Sequence, residues 1–551
     1  MEFTSVNLLF QEAFKKNWDR PAISNYQGVT LHYRDVARRI EKMHIMFEEC
    51  GLQKGDKVAI CSRNQANWAV AFLSTMTYGA VPVPLLHEFK SSNIHHLVNH
   101  SEAKILFVDD VIWEGLTETE MPDLHAIIQV NTFKLLYAKD ENIVSAREHL
   151  NELFGRKYPN VFTPEDLHYY EDSADELAVI NYTSGTSGFS KGVMIPYRAI
   201  RSNLEFGKKV LPGLDNTKNV VSMLPSAHMY GLMFELLYEL SVGAHVHFLS
   251  RVPSPKIIMQ ALAEVKPYVI IAVPLVIEKI YKTKVKPILE KEGIKVLMKL
   301  PVLNQVIMNK IKTELVNAFG GEFYEVIIGC AAFNKEFEAF FKKMNFPFTV
   351  GYGMTECAPI ITYDDWTVEK LYSCGKAAPN MQVRIASANP AEIPGEIQVK
   401  GDNVFMGYYK NEEATAEVLT EDGWFRTGDM GILDEEGSLF IKGRTKCMIL
   451  GPSGQNIYPE EVETVINCQP YVVDSLVVED NGGLTALIYP NFPQGAKDGM
   501  NQDAFVKYIE GTLPELNKEL PNYAKIKKIE VMSEDFERTP KKSIKRYLYQ
   551  R

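Results

Sequence analysis

The sequence predicts an α/β protein: a large N-terminal domain carrying doubly wound sheets, then a small α+β C-terminal domain. Three observations predict it. Apolar runs of strand length recur at 57–61, 105–108, 127–130, 177–180, 220–224 and 269–273, with helical stretches between them. From about Glu392 the texture changes to short strand-like pieces, such as residues 395–399, between Gly and Asp turns. After Gly443 a smaller unit begins, in which residues 475–479 and 484–489 flank Asp480-Asn481-Gly482-Gly483, a hairpin signal.

Taken in order, Leu9, Phe10, Ala13 and Phe14 sit at helical spacing with lysines beyond, and the N-terminal stretch lacks the apolar core of a signal peptide. Val36, Ile40, Met43 and Phe47 are spaced to form one helical face, which Gly51 ends. Lys57-Val58-Ala59-Ile60-Cys61 reads as a short buried strand. The longest strongly apolar run, 269–277, spans nine residues and contains Pro274, whereas a membrane-spanning helix needs about twenty.

At 551 residues, 46% hydrophobic and 23% charged, the chain has an ordinary globular composition and is long enough for a large core. A net charge of −11 argues against nucleic acid as a partner. The seven cysteines are scattered, odd in number and never in a CxxC pair, which favours reduced thiols in a cytoplasmic setting over disulfides or a zinc site.

The most informative stretch is Tyr182-Thr183-Ser184-Gly185-Thr186-Ser187-Gly188-Phe189-Ser190-Lys191-Gly192, which leaves the strand-like run 177–180. Glycines let backbone N–H groups approach a ligand, hydroxyls add donors and the lysine adds charge, an inventory that suits a polyphosphate. It is not a Walker loop, because Ser190 precedes Lys191 and Gly192 follows it. Four further stretches accompany it. Leu224-Pro225-Ser226-Ala227-His228-Met229-Tyr230-Gly231 sets a histidine among aromatics. Gly351-Tyr352-Gly353-Met354-Thr355-Glu356 offers a carboxylate suited to magnesium, a cation that wants oxygen ligands and substrate phosphates. Trp424-Phe425-Arg426-Thr427-Gly428-Asp429 ends in an aspartate able to accept from two ribose hydroxyls, and Gly443-Arg444-Thr445-Lys446 adds positive charge.

Taken together and in this order, these motifs resemble the adenylate-forming superfamily of acyl-CoA synthetases, luciferases and peptide-synthetase adenylation domains. The resemblance runs from Leu31-His32-Tyr33, through Gly55-Asp56-Lys57 and Gly79-Ala80-Val81-Pro82, to Arg538-Thr539-Pro540. It implies an N-terminal domain, 1–443, that includes a distorted β-barrel subdomain, and a mobile C-terminal domain, 444–551, hinged near Lys446. It implies two half-reactions: a carboxylate attacks the ATP α-phosphate to give acyl-adenylate, then a thiol displaces AMP. By the same resemblance Thr183, Ser184, Gly185, Thr186, Ser187, Gly188 and Lys191 would clasp the β- and γ-phosphates. Gly329, Cys330 and Ala331 would line the adenine site, with Tyr352 and Gly353 beside them. Thr355 would touch the α-phosphate, Glu356 would bind Mg²⁺, Asp429 would hold the ribose with Arg444 in support, and His228 would border the acid.

The chain departs from the family pattern at Ser187 for a usual threonine, Ser190 for a usual proline, and Cys447 where an acidic residue is common. The larger departure is Ser543, which stands where the family places a lysine that bridges carboxylate and α-phosphate. Either a neighbour, Lys541, Lys542 or Lys545, supplies that charge, with Lys542 the catalytic candidate through a one-residue slip, or adenylation is impaired. In an extended segment Lys541 and Lys545 would share a face with Ser543.

The stretch 446–461, with Gly451-Pro452-Ser453-Gly454-Gln455-Asn456, is similar to the segment that long-chain fatty acyl-CoA synthetases carry after the hinge, and residues 460–466 read as an amphipathic helix. The apolar stretch 230–238 suits either an alkyl tunnel or a core helix, and no acidic residue is evident in it to meet an amino-acid ammonium. The resemblance implies ATP, Mg²⁺ and coenzyme A, a medium- or long-chain fatty acid, no nucleic acid and no transmembrane segment. A lipid-partitioned substrate permits peripheral membrane contact, although no basic amphipathic segment compels it. Ligases for aryl or other acids, carrier-protein loading, and a turnover-deficient nucleotide- or acyl-binding protein are the alternatives.

Overall fold

A computed structural model describes residues 4–183, 190–250, 254–281, 285–289, 291–298, 300–331, 333–450, 456–480, 482–539 and 543–551. The helix Val6–Lys16 buries Val6, Phe10, Ala13 and Phe14 against the main core. Asp172 holds its start, accepting from the Ser5 hydroxyl and from the N–H groups of Val6 and Asn7. The helix Tyr33–Glu49 buries Val36, Ile40, Met43 and Phe47, and Gly51 follows it at a φ of 67°.

Parallel strands form the first sheet in the order Val81–Leu85, Lys57–Cys61, Ala103–Val108, Ala126–Gln129, with Leu135–Ala138 antiparallel at its edge. Its central strands are apolar apart from Lys57 and Lys104 near their starts, because both faces are covered. Leu177–Thr183 and Lys191–Pro196 form an antiparallel pair, to which Gly407–Tyr408 adds. A third sheet orders Asn219–Ser222, His245–Phe248, Pro21–Asn25 and Thr30–His32. A fourth is wholly parallel: Val269–Ala272, Glu325–Ile328, Phe348–Val350.

Met381–Ala386, Gly395–Gly401, Phe425–Leu433 and Leu439–Arg444 make an antiparallel β subdomain. Just ahead of the change in texture at Glu392, Tyr352–Gly353, Ile360–Tyr363 and Lys376–Ala377 already pair as a small antiparallel sheet. Those strands are too short to show alternation in sequence.

In the C-terminal unit Val472–Asp480 pairs antiparallel with Gly483–Pro490, as the turn chemistry predicts, and Ile526–Val531 runs parallel to the latter. The helix Pro459–Asn467 packs on them through Val462 and Ile466. The two clusters of buried apolar side chains in this unit draw on residues from Ile457 onward, with the partly buried Ile449 packed against the first. Among the described residues, no helix is long and apolar enough to cross a membrane.

Candidate active site

The site is assembled at the carboxyl ends of strands, where loops leave an open α/β sheet. Thr183 closes one strand and pairs in register with Lys191, and its hydroxyl reaches the Lys191 carbonyl at 3.5 Å. Ser184, Gly185, Thr186, Ser187 and Gly188 lie outside the described residues. The Lys191 ammonium stands 4.5 Å from the centre of the Tyr408 ring, a cation–π contact. The Tyr408 hydroxyl in turn donates to Glu356 Oε1 at 3.0 Å. Burial and the neighbouring Glu356 raise the Tyr408 hydroxyl above its usual range, so it stays protonated and remains a donor. Glu356 is buried, in the short 3₁₀ turn Thr355–Cys357, and its carbonyl accepts from Phe405 N–H at 2.9 Å. Thr355 is half-buried beside it.

The turn before Glu356 requires glycine at 353: a Cβ there would run into the Pro359 carbonyl oxygen. One residue earlier, the Tyr352 hydroxyl donates to Asp429 Oδ2 at 2.7 Å. Asp429 lies opposite Arg444 in the ladder, with the guanidinium Nε 3.5 Å from Oδ1. Burial pushes the Asp429 carboxyl up and Arg444 pulls it back down. Arg444 is largely exposed, so water screens its side of the pair.

The adenine-side residues follow the parallel sheet. Gly329 N–H donates to the Ala272 carbonyl at 3.1 Å, and Gly351 N–H to that of Ile328 at 3.0 Å, which sets the two strand ends side by side. A Cβ on Gly329 would come within 3.2 Å of the Tyr230 ring, whose hydroxyl donates to the Ile327 carbonyl. Cys330 and Ala331 follow, both exposed, with Cys330 held at a left-handed φ of 72°. His228 is half-buried at the start of the helix Met229–Leu232, two residues before Tyr230. The Asn181 amide donates to the Ala227 carbonyl at 2.8 Å, linking that loop to the strand leading to Thr183. The structure therefore makes two runs of contacts, Thr183–Lys191–Tyr408–Glu356 and Tyr352–Asp429–Arg444, joined by the backbone from Tyr352 through Thr355 to Glu356, with the strand end at Gly329 next to Gly351.

Comparison with known proteins identifies the family. Residues 10–409 match the family of AMP-binding enzymes, and residues 448–551 match the AMP-binding enzyme C-terminal domain. The chain belongs to the AMP-binding enzyme family. It is similar to the long-chain-fatty-acid–CoA ligase ACSBG2 of Homo sapiens, 26% identical over 503 residues that cover 86% of this chain and 74% of that protein. It is 25% identical over 576 residues to a long-chain-fatty-acid–CoA ligase of Escherichia coli, with 97% and 95% of the two chains covered. ATP-bound MatB from Rhodopseudomonas palustris shares the fold at a TM-score of 0.77 and 23% identity, over 99% of this chain and 98% of that one. O-succinylbenzoate CoA synthetase from Bacillus subtilis, solved with ATP and magnesium, shares it at 0.74 and 21%, over 98% of each.

Two side chains of this AMP-binding enzyme escaped the sequence reading. Tyr408, which joins Lys191 to Glu356, lies far from both in sequence, and only the aromatic pair Tyr408-Tyr409 after Gly407 marked the place. Glu235 is the acidic residue that the reading of 230–238 passed over. It is fully buried, and its Oε2 accepts from the Met223 and Leu224 N–H groups and the Ser222 hydroxyl at 2.9–3.2 Å. Its carboxylate thus clamps the strand end that leads to His228. Most of the 230–238 side chains are core: Leu232, Met233, Leu236 and Leu237 are fully buried.

At the C-terminus, Lys541 and Lys542 lie outside the described residues, as do residues 451–455. Arg538 and Ile544 form an antiparallel bridge and Thr539 N–H donates to the Ser543 carbonyl at 2.8 Å. These contacts tie residues 538–539 antiparallel to 543–544. Ser543 is exposed, and Lys545 pairs with Glu537 at 3.2 Å. Arg546 binds Glu463 of the helix Pro459–Asn467. Lys446 sits exposed in the single turn Thr445–Cys447 between the β subdomain and the C-terminal unit.

Proposed function

We propose that the protein is an adenylate-forming acid–CoA ligase acting on fatty acids of medium to long chain. The observation that carries this is a pair of contact runs, Thr183–Lys191–Tyr408–Glu356 and Tyr352–Asp429–Arg444, which the short backbone stretch from Tyr352 to Glu356 joins. It offers cationic and hydroxyl groups for phosphates at one end and a carboxylate for a ribose at the other. The family's long-chain-fatty-acid–CoA ligases support the acid.

In this reading the acid's carboxylate oxygen attacks the α-phosphorus of ATP and the bond to the bridging oxygen breaks, releasing pyrophosphate. The CoA thiol then attacks the acyl carbonyl, losing its proton, and AMP leaves. The protein supplies positioning and charge, with no covalent nucleophile of its own. Lys191 and Thr183 hold the departing phosphates, Thr355 faces the α-phosphate, and Asp429 fixes the ribose. Glu356 suits Mg²⁺, which takes one or two carboxylates and completes its shell with substrate phosphates and water. Bound there, the ion would neutralise phosphate charge. Gly329, Cys330, Ala331 and Gly353 would receive the adenine, and His228 the acid. We assign the lysine missing at 543 to Lys542, and the domain boundary to 443/444 with the hinge at Lys446. The separate core from Ile457 onward supports that division.

A second reading, a ligase for a different acid, draws support from the shared fold of MatB and O-succinylbenzoate CoA synthetase. ATP–pyrophosphate exchange without CoA, across saturated acids from short to long, separates the two. Exchange peaking at a medium or long chain is expected. Exchange only with dicarboxylic or aryl acids would replace the fatty-acid reading, and none with any acid despite ATP binding would overturn the ligase.

A further inference from the structure

Tyr182 stands directly before Thr183 on the strand Leu177–Thr183 and pairs in register with Gly192, the residue after Lys191. A Cβ at 192 would come within 3.1 Å of the Tyr182 ring, so the ring packs over this rung of the pair. Tyr182 is buried in an apolar cluster with Val83, Leu97 and Ile180. Its hydroxyl nevertheless meets a polar atom there. It lies 2.6 Å from Nδ1 of His100, the half-buried penultimate residue of the helix Ser91–Ser101. Burial, followed by Lys410 and His96, lowers the His100 imidazole, which is therefore neutral at pH 7. Burial, followed by Tyr409 and Glu102, raises the Tyr182 hydroxyl, which keeps its proton. The hydroxyl donates, Nδ1 accepts, and the ring proton sits on Nε2.

His100 also meets the other segment beside Lys191. Its ring stands edge-on to that of Tyr409, with centroids 5.8 Å apart. The Tyr409 hydroxyl donates to Glu102 at 2.7 Å, while Lys410 donates to the His100 carbonyl at 3.2 Å and pairs with Glu102 at 3.0 Å. The Tyr409 N–H donates to the Gly192 carbonyl at 2.7 Å. Adjacent tyrosines thus reach different partners: Tyr408 takes Lys191 and Glu356, and Tyr409 takes His100 and Glu102. Phenylalanine at 182 would fill the same apolar cluster without desolvating a hydroxyl and an imidazole nitrogen. What the polar pair adds is direction, because a hydrogen bond fixes the ring where apolar packing alone tolerates a shift.

We propose, on the reading that Thr183 and Lys191 hold the β- and γ-phosphates of ATP, that His100 is a positioning residue for that pair. It holds the strand before Thr183 through Tyr182 and the segment beside Lys191 through Tyr409. Removing the Nδ1 acceptor leaves the Tyr182 hydroxyl buried and unpaired, which favours a new ring position and a shift of the strand end with it. AMP lacks the β- and γ-phosphates, so its binding does not depend on Thr183 and Lys191. That asymmetry separates a positioning role from a contribution to stability alone.

Equilibrium dialysis of the full chain against MgATP and against AMP tests this without turnover. In His100→Phe and in Tyr182→Phe the MgATP dissociation constant is expected to rise about tenfold, the effect of one hydrogen bond lost from a buried pair, with AMP within about twofold of the parent protein. His100→Asn keeps an acceptor near the Nδ1 position and should bring MgATP back to within about threefold. The double variant His100→Phe/Tyr182→Phe should cost no more than either single change, since both act through one bond. His95→Asn, on the same helix but bonded to the Thr117 N–H at 3.1 Å, should alter neither ligand. Equal losses for MgATP and AMP, unchanged MgATP in both phenylalanine variants, or losses that multiply in the double variant would each overturn the proposal. A parent protein that binds MgATP yet shows no pyrophosphate exchange with any acid would remove the ligase reading alone, and the same dissociation constants would still decide the role of His100. A parent protein that binds no MgATP would overturn both.

Discussion

Tyr408 shows how much one hydroxyl and one ring can carry. The ring faces the Lys191 ammonium at 4.5 Å and the hydroxyl donates to Glu356 at 3.0 Å, so a single side chain sets the position of both groups assigned to phosphate and magnesium. The two functions separate by substitution. Tyr408→Phe keeps the ring and removes one charge-assisted hydrogen bond, which should lower pyrophosphate exchange about twentyfold, within the roughly 1.5–3 kcal/mol such bonds contribute. Tyr408→Ala also releases Lys191 and should cost about a hundredfold. Equal rates for Tyr408→Phe and the parent protein would show that Glu356 is positioned by its backbone alone.

At the scale of elements, what was legible depended on whether a residue's partner was local. The buried parallel strands announced themselves as apolar runs, the helix Tyr33–Glu49 as a four-three-four spacing, and the 472–490 hairpin by its glycine turn. The motif residues at 329, 352, 356, 429 and 444 stood out as well, because each lies at a strand end or tight turn. What joins them did not, since Tyr408 and Glu356 are 52 positions apart in sequence. The helical run 229–241 was legible only as apolar. It contains a π-helical turn, Met233–Leu237, and buries two carboxylates, Glu235 and Glu239. Glu235 has its clamp, whereas neither oxygen of Glu239 has a partner outside its own residue. Burial raises the Glu239 carboxyl from 4.5 to about 8. A carboxyl raised on folding favours the native state fully only below its unfolded value. Between the two values the unfolded chain ionises and the folded one does not, so stability falls by about 1.4 kcal/mol per pH unit. Glu239→Gln, neutral at every pH, should match the parent in urea denaturation near pH 4 and exceed it by a few kcal/mol at pH 8. An unchanged pH slope would mean Glu239 is ionised and compensated in the fold.

For the whole molecule, the ligase reading demands two arrangements of the C-terminal unit, because the lysine assigned to adenylation and the stretch after the hinge cannot both occupy one site. The structure holds one arrangement. The helix Pro459–Asn467 lies along the strand Leu439–Arg444, with Lys442 and Glu461 paired at 3.4 Å, and Asn334 of the large domain contacts Cys468 at 2.9 Å. Both of these contacts are polar, as in interfaces between units that move relative to one another. The connection includes the single turn Thr445–Cys447 with Lys446 exposed at its centre, and we propose that the rotation is absorbed in a few backbone dihedrals there. Proline at 446 fixes φ near −65° and restricts the residue before it. Lys446→Pro should therefore leave pyrophosphate exchange within about twofold while slowing thioester formation from pre-formed acyl-adenylate by about tenfold or more. The split is the diagnostic result. A lysine that acted in adenylation itself would lower exchange, and a residue of purely structural importance would lower both half-reactions with the unfolding midpoint. Thioester formation at the parent rate would place the pivot elsewhere in the chain between the two units.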